Sequence, residues 1–311
     1  MSKSRARSET PSSPRGPQIR LQTKHPLAPR ERANLQAGAA ALADDVPSPG
    51  AVRIIVTDTF DRTVAEYASR APSMSGMPTR GYTATKPDGA QAVAKTIEVP
   101  GGKVAVIASR FLLGSDPDAC LRTFLHEAQH VRVEQDGGRA WAAHREVGLE
   151  VPDGLTWEFV WLAEAAIDEF RCERELYERG LPSSDPASVA DYQPMVGLAV
   201  ETISAYRLSG DLTATYHAAF ALLDRLSTMV AYGSAACVVH PKQLTLWADV
   251  PPMAPSLEIL GAIPAAGQPT RAAEHVPASI QLARVFRSTF KELGFDYRYT
   301  AEGGDYFEIL R

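Results

Sequence analysis

Thr123-Phe124-Leu125-His126-Glu127-Ala128-Gln129-His130-Val131 decides how this chain of 311 residues is read. The stretch holds two histidines four residues apart, with a glutamate directly after the first. Residues i and i+4 share one face of an α-helix, so two imidazoles at that spacing can converge on one metal ion at about 2.0–2.1 Å. Glu127 then projects beside the ion, where a carboxylate can take a proton from water and pass it to a leaving group. The flanking residues supply the helix. Ser115-Asp116-Pro117 offers a capping acceptor followed by a proline in the first turn, where a missing N–H costs nothing. Leu121, Phe124, Leu125, Ala128 and Val131 recur at three- and four-residue spacing, the pattern of a buried face. Gly137-Gly138 ends the segment.

Upstream, Val52–Thr57 is a β-branched run of the kind found in buried strands. A short helix follows over 60–70, starting at Asp61, and residues 71–92 carry enough proline and glycine for a long irregular loop. Residues 96–99 and 103–108 flank Pro100-Gly101-Gly102, which predicts a β-hairpin. The strand at 103–108, just ahead of the metal helix, is expected to be the sheet edge on which an extended peptide lies. Residues 1–50 are rich in Ser, Pro, Arg, Gly and Ala, and are expected to form a disordered basic tail. Eight basic residues stand against two acidic ones within residues 1–36, while the whole chain is at −5. The body is therefore acidic, which argues against nucleic acid as a partner except through the tail. The basic start lacks an apolar segment behind it, so a secretory signal is not expected.

Downstream, helices are expected over 156–179, from 185 to 206 with a bend at Pro194, over 211–231 and over 279–293. A proline-rich loop is expected at 250–270 and a short terminal strand at 306–310. A 45% hydrophobic composition supports a sizeable core, and no run of eighteen apolar residues predicts a membrane span. The three cysteines, Cys120, Cys172 and Cys237, are odd in number and far apart. That usage suits free thiols in a reducing, cytoplasmic compartment.

A catalytic zinc needs a third protein ligand and an open fourth position. Glu134-Gln135-Asp136 stand where a third histidine would follow in an extended HExxHxxGxxH motif, so that continuation is absent. Glu164 and Asp168 offer a better answer at i and i+4 on the next long helix, among apolar neighbours. Glu164 would bind metal, and Asp168 would hold the N–H of a ligating histidine. Glu169, Asp168 and His144 are the alternatives for the third ligand. Glu164, Asp168, Glu169, Glu173, Glu175 and Glu178 also describe a plain acidic solvated face with Arg171, Arg174 and Arg179 as partners, on which Glu173 and Glu178 are expected to be exposed. Further along, His217 with Tyr216 could polarise a substrate carbonyl, with His240 and Tyr232 behind them. No G-x-S-x-G elbow and no phosphate-binding G-x-x-x-x-G-K-[ST] loop occurs.

His126-Glu127-Ala128-Gln129-His130 followed by Glu164-x-x-x-Asp168 resembles the gluzincin pattern of thermolysin. The order of hairpin, HExxH helix and Glu-x-x-x-(Asn/Asp)-x-Phe helix, with Phe170 in the phenylalanine place, resembles more closely the small ImmA/IrrE-type metallopeptidases. The resemblance covers residues 52–180. It implies an α+β, zincin-like domain at 51–180, followed by a mainly helical extension at 181–311. It also implies a zinc-dependent metallopeptidase with His126, His130 and Glu164 on zinc, Asp168 behind them and Glu127 as general base. The substrate would be a peptide or protein. The alternative is a regulatory or binding protein that retains the fold without general peptidase activity.

Overall fold

The computed structural model describes residues 19–23, 25–71, 93–136, 138, 151–152, 154–183, 189–300 and 304–310. The fold is α+β, with a four-stranded mixed sheet at one end and a helical body with a small hairpin at the other. The sheet holds β1 (Arg20–Thr23), β2 (Val52–Thr57), β3 (Ala94–Val99) and β4 (Lys103–Ser109) in the order β1-β2-β4-β3. The first three strands in that order are parallel, and β3 returns antiparallel against β4. Gly101 and Gly102 turn the hairpin at φ 85° and 66°, values that glycine adopts without a Cβ clash. The edge expected at 103–108 is corrected here. β4 is interior and β3 is the edge strand beside it.

The period-two alternation of β2 and β4 explains their unbroken apolar runs. Val52, Ile54, Val56, Val104, Val106 and Ala108 face one core with α1 (Pro29–Asp45), α3 (Arg110–Gly114) and α4 (Pro117–Gln135). Ile55, Ala105 and Ile107 face the other side, with Ile97 and α2 (Phe60–Ala68). Asp116 caps α4 through the amides of Asp118 and Ala119 at 3.0 and 3.2 Å, with Pro117 in the first turn.

The expectation of a disordered tail to residue 50 is corrected over residues 20–45. β1 extends the sheet by parallel pairing with β2, and α1 packs on α4. The stripe on α1 is small, Asn34, Leu35, Gly38 and Leu42, so its period is easily lost among alanines. Contact is made by close approach. A Cβ added at Gly38 would stand 2.1 Å from Phe124 Cδ2. Arg110 then clamps the first turn of α1 with two hydrogen bonds to Glu31, at 2.8 and 3.0 Å.

The helical body comprises α5 (Trp157–Glu178), α6 (Tyr192–Ser209), α7 (Leu212–Val239), α8 (Met253–Leu260) and α9 (Ala272–Glu292), with the antiparallel pair β5 (Phe295–Tyr299) and β6 (Asp305–Ile309). Three expectations change here. The helix expected to end at 231 runs to Val239, the loop at 250–270 contains α8, and the terminal strand has a partner, β5. Phe159, Phe220, Phe286, Phe290 and Phe295 fill its core. α7 is long and apolar enough to cross a membrane, and 67% of its most apolar window is buried within this body.

The apolar residues of α5 pack in this second core, with those of α6 to α9. Arg171 of α5 is almost fully buried. It donates to the carbonyls of Gly138, Pro264 and Gln268 at 2.6, 3.2 and 3.2 Å, which ties the 264–268 turn to the end of α4.

A candidate metal centre between two cores

α4 presents Phe124, Ala128 and Val131 to the sheet core and His126 and His130 to α5. The two histidines meet edge-on one helical turn apart, their Nε2 atoms 3.1 Å from each other. Glu169 closes the group, with Oε2 3.2 Å from His126 Nε2 and Oε1 3.5 Å from His130 Nε2. One atom from each residue lies within 4.8 Å of the others, so the three can hold a metal ion.

The donor chemistry fits an ion as well as the spacing does. Two imidazole nitrogens and one carboxylate oxygen form a three-ligand set that leaves an open position. His126 is buried, which by itself disfavours its charged form, but the Glu169 and Glu173 carboxylates outweigh burial and push its pKa up to about 10. Burial opposes charge on Glu169 too, and the two histidines overcome it and hold the carboxyl well below its ordinary value. The pocket thus calls for positive charge at the point where the ligand atoms meet.

Behind His126, Glu173 Oε1 lies 2.8 Å from Nδ1, and its Oε2 accepts from Arg122 Nη2 at 2.5 Å. Glu173 is fully buried, and the imidazole and guanidinium together keep its pKa low against the cost of burial. With a carboxylate fixed on Nδ1, Nε2 is the nitrogen directed at the cluster. Glu127 is 5% exposed, and its Oε2 accepts a 2.6 Å hydrogen bond from Thr96 of β3. Tyr232 of α7 donates to Glu169 Oε2 at 3.0 Å.

The two histidines expected from the motif come together, and Glu169, weighed as an alternative third ligand, joins them; Glu127, next to His126 in sequence, is held by Thr96. Glu164 does not. It is fully buried on α5, and five residues from Glu169 amount to about 140° around a helix. Asp168 is buried and acts electrostatically on Arg171, while the place behind His126 belongs to Glu173. The exposed role expected for Glu173 is thus overturned. Phe170 is buried in the helical core.

A signal for the observed register was present. Glu169 and Glu173 are also i and i+4, but α5 is buried on nearly every side, and apolar neighbours cannot show which side meets α4. His217 rests against Tyr216, which belongs to an aromatic group with Phe220, Tyr297 and Phe307 away from the cluster. His240 packs edge-on against Tyr177. His144 lies outside the described residues. Comparison with protein-family models, with curated proteins and with solved structures returned no match for this chain, so geometry and chemistry carry the functional argument.

Proposed function

We propose that the chain is a zinc-dependent hydrolase, most simply a metallopeptidase, with His126, His130 and Glu169 as the metal ligands. The observation that carries this reading is Glu127. It is a buried carboxylate adjoining a ligating histidine, and a neutral hydroxyl holds one of its oxygens. A structural metal site needs no such group, because closed sites use all their positions for protein ligands.

Zinc held by the three ligands supplies Lewis acidity at the open side of the cluster. The protein's own residues do the rest. Glu127 takes a proton from the attacking water and delivers it to the leaving nitrogen. Thr96 fixes Glu127 Oε2 and so orients the oxygen that must receive the proton. Glu173 holds His126 by Nδ1, and Arg122 holds Glu173. β3 carries Thr96, and its outer edge is unpaired among the described residues, so it offers backbone groups along which an extended peptide can lie.

The second reading is a binding protein in which the metal chiefly joins the two cores, favoured by the position of the cluster between them. Glu127→Gln separates the two. Under the hydrolase reading the variant keeps zinc and loses turnover of a peptide library that the parent cleaves. A parent that holds zinc yet cleaves nothing in that library supports the binding role.

A further inference from the structure

We propose that Tyr232 is a positioning residue of this metal centre, holding the Glu169 carboxylate in its ligating orientation. The proposal rests on the reading of His126, His130 and Glu169 as ligands. Tyr232 comes from α7, a third helix beyond the two that carry the ligands. Its hydroxyl donates to Glu169 Oε2 at 3.0 Å, the same oxygen that lies 3.2 Å from His126 Nε2. The ring centroid stands 5.9 Å from that of His126, so the phenol touches two members of the cluster.

Glu169 has three side-chain torsions and is 20% exposed, so unaided it can leave the histidines for water. Each orientation it samples when free must be surrendered on binding an ion, which weakens affinity. A tyrosine has two torsions, and this one is braced. Its ring lies against His126, and at the next residue, Gly233, Trp247 packs so closely that an added Cβ would stand 2.6 Å from its ring. The hydroxyl therefore meets Glu169 from a fixed point. It also satisfies a carboxylate oxygen, as outer groups do for ligands in other metal sites. The hydroxyl works as a neutral donor throughout, and no proton transfer is involved.

The test uses the full chain stripped of metal. Zinc is titrated back in competition with a chelating dye, and cobalt(II) is loaded separately to record its visible absorption. Tyr232→Phe is expected to weaken zinc binding by roughly 10–100-fold and to shift the cobalt bands, as for the loss of an outer partner. Tyr232→Gln, which keeps a donor, is expected to regain part of that affinity. Affinity within twofold of the parent and an unchanged cobalt spectrum in Tyr232→Phe would overturn the proposal. So would equal weakness of the Phe and Gln variants, which would assign the effect to packing. Glu169→Gln serves as the separate control. If the parent takes up no zinc, or if Glu169→Gln binds as tightly as the parent, the ligand reading fails and the role of Tyr232 falls with it.

Discussion

The sheet end and the helical end are each built as hydrophobic cores, but the surface where α4 meets α5 is built from charge. Within the helical body the contacts are Phe159, Phe220, Phe286 and Phe290 on one another and on aliphatic neighbours. Between the bodies they are Arg122 on Glu173, His126 on Glu173 and Glu169, His130 on Glu169, and Arg132 on Glu175. The apolar part of that seam is the small cluster of Val133, Cys172 and Ala266. Charges taken from water cost more than they return unless every partner is in place. The His126, His130 and Glu169 group that could hold an ion lies among these charges, and an ion there would serve both ends.

Glu173→Ala is the sharpest way to break the contrast. It leaves Arg122 and His126 without their shared carboxylate. The loss is expected to reach about 3–5 kcal/mol in denaturant unfolding, as for other broken buried pairs, together with weaker metal binding. Phe290→Ala should cost a similar amount, about 3–5 kcal/mol, by opening the helical core, yet spare metal affinity in the folded fraction. If both variants lose stability and metal affinity in parallel, the seam and the core are not distinct.

Acid probes a buried histidine on the helical side. His275 is fully buried in α9. Burial first and the Arg171 cation second pull its pKa from 6.5 to about 4. The unfolded chain then binds a proton below pH 6.5 that the folded chain refuses until about pH 4, so stability falls as pH falls through that window. The contribution is on the order of 3 kcal/mol at the acid end. Unfolding of the parent and of His275→Gln, compared at pH 7 and pH 4.5, should show the parent losing more; parallel losses would remove His275 from the account.

Gly38→Ala tests the sheet side, where α1 approaches α4. The added methyl meets Phe124, and a loss of about 1–3 kcal/mol is expected for overpacking. An unchanged melting temperature would mean that α1 contributes nothing to that core. At the small end, Glu178→Ala removes an exposed i,i+4 partner of Arg174 and should shift stability by less than about 0.5 kcal/mol.

The same contrast explains what could be read from the sequence. Several elements announced themselves: β2 and β4, buried on both faces, through their apolar β-branched runs, the hairpin through Gly101-Gly102, and α4 through its cap and its apolar period. The pairing of His126 with His130 was legible because i, i+4 spacing on α4 puts both on one face. α1 was missed because its contact is a glycine against a ring, which leaves no hydrophobic stripe. That Glu169 rather than Glu164 stands with the histidines was not legible because α5 is buried almost all round, so both Glu164/Asp168 and Glu169/Glu173 satisfy the same spacing rule. Only the docking of α5 on α4 distinguishes them. The role of Tyr232 depends on the return of α7, some sixty residues later in the chain, and no local pattern encodes it.

The register of α5 is therefore the claim on which the site stands, and zinc affinity by chelator competition in the parent, Glu169→Ala and Glu164→Ala tests it most directly. The parent should hold about one zinc per chain, as a three-ligand site does. Glu169→Ala should lose it, and Glu164→Ala should retain an affinity close to the parent's. Loss of zinc in Glu164→Ala with retention in Glu169→Ala would contradict the account.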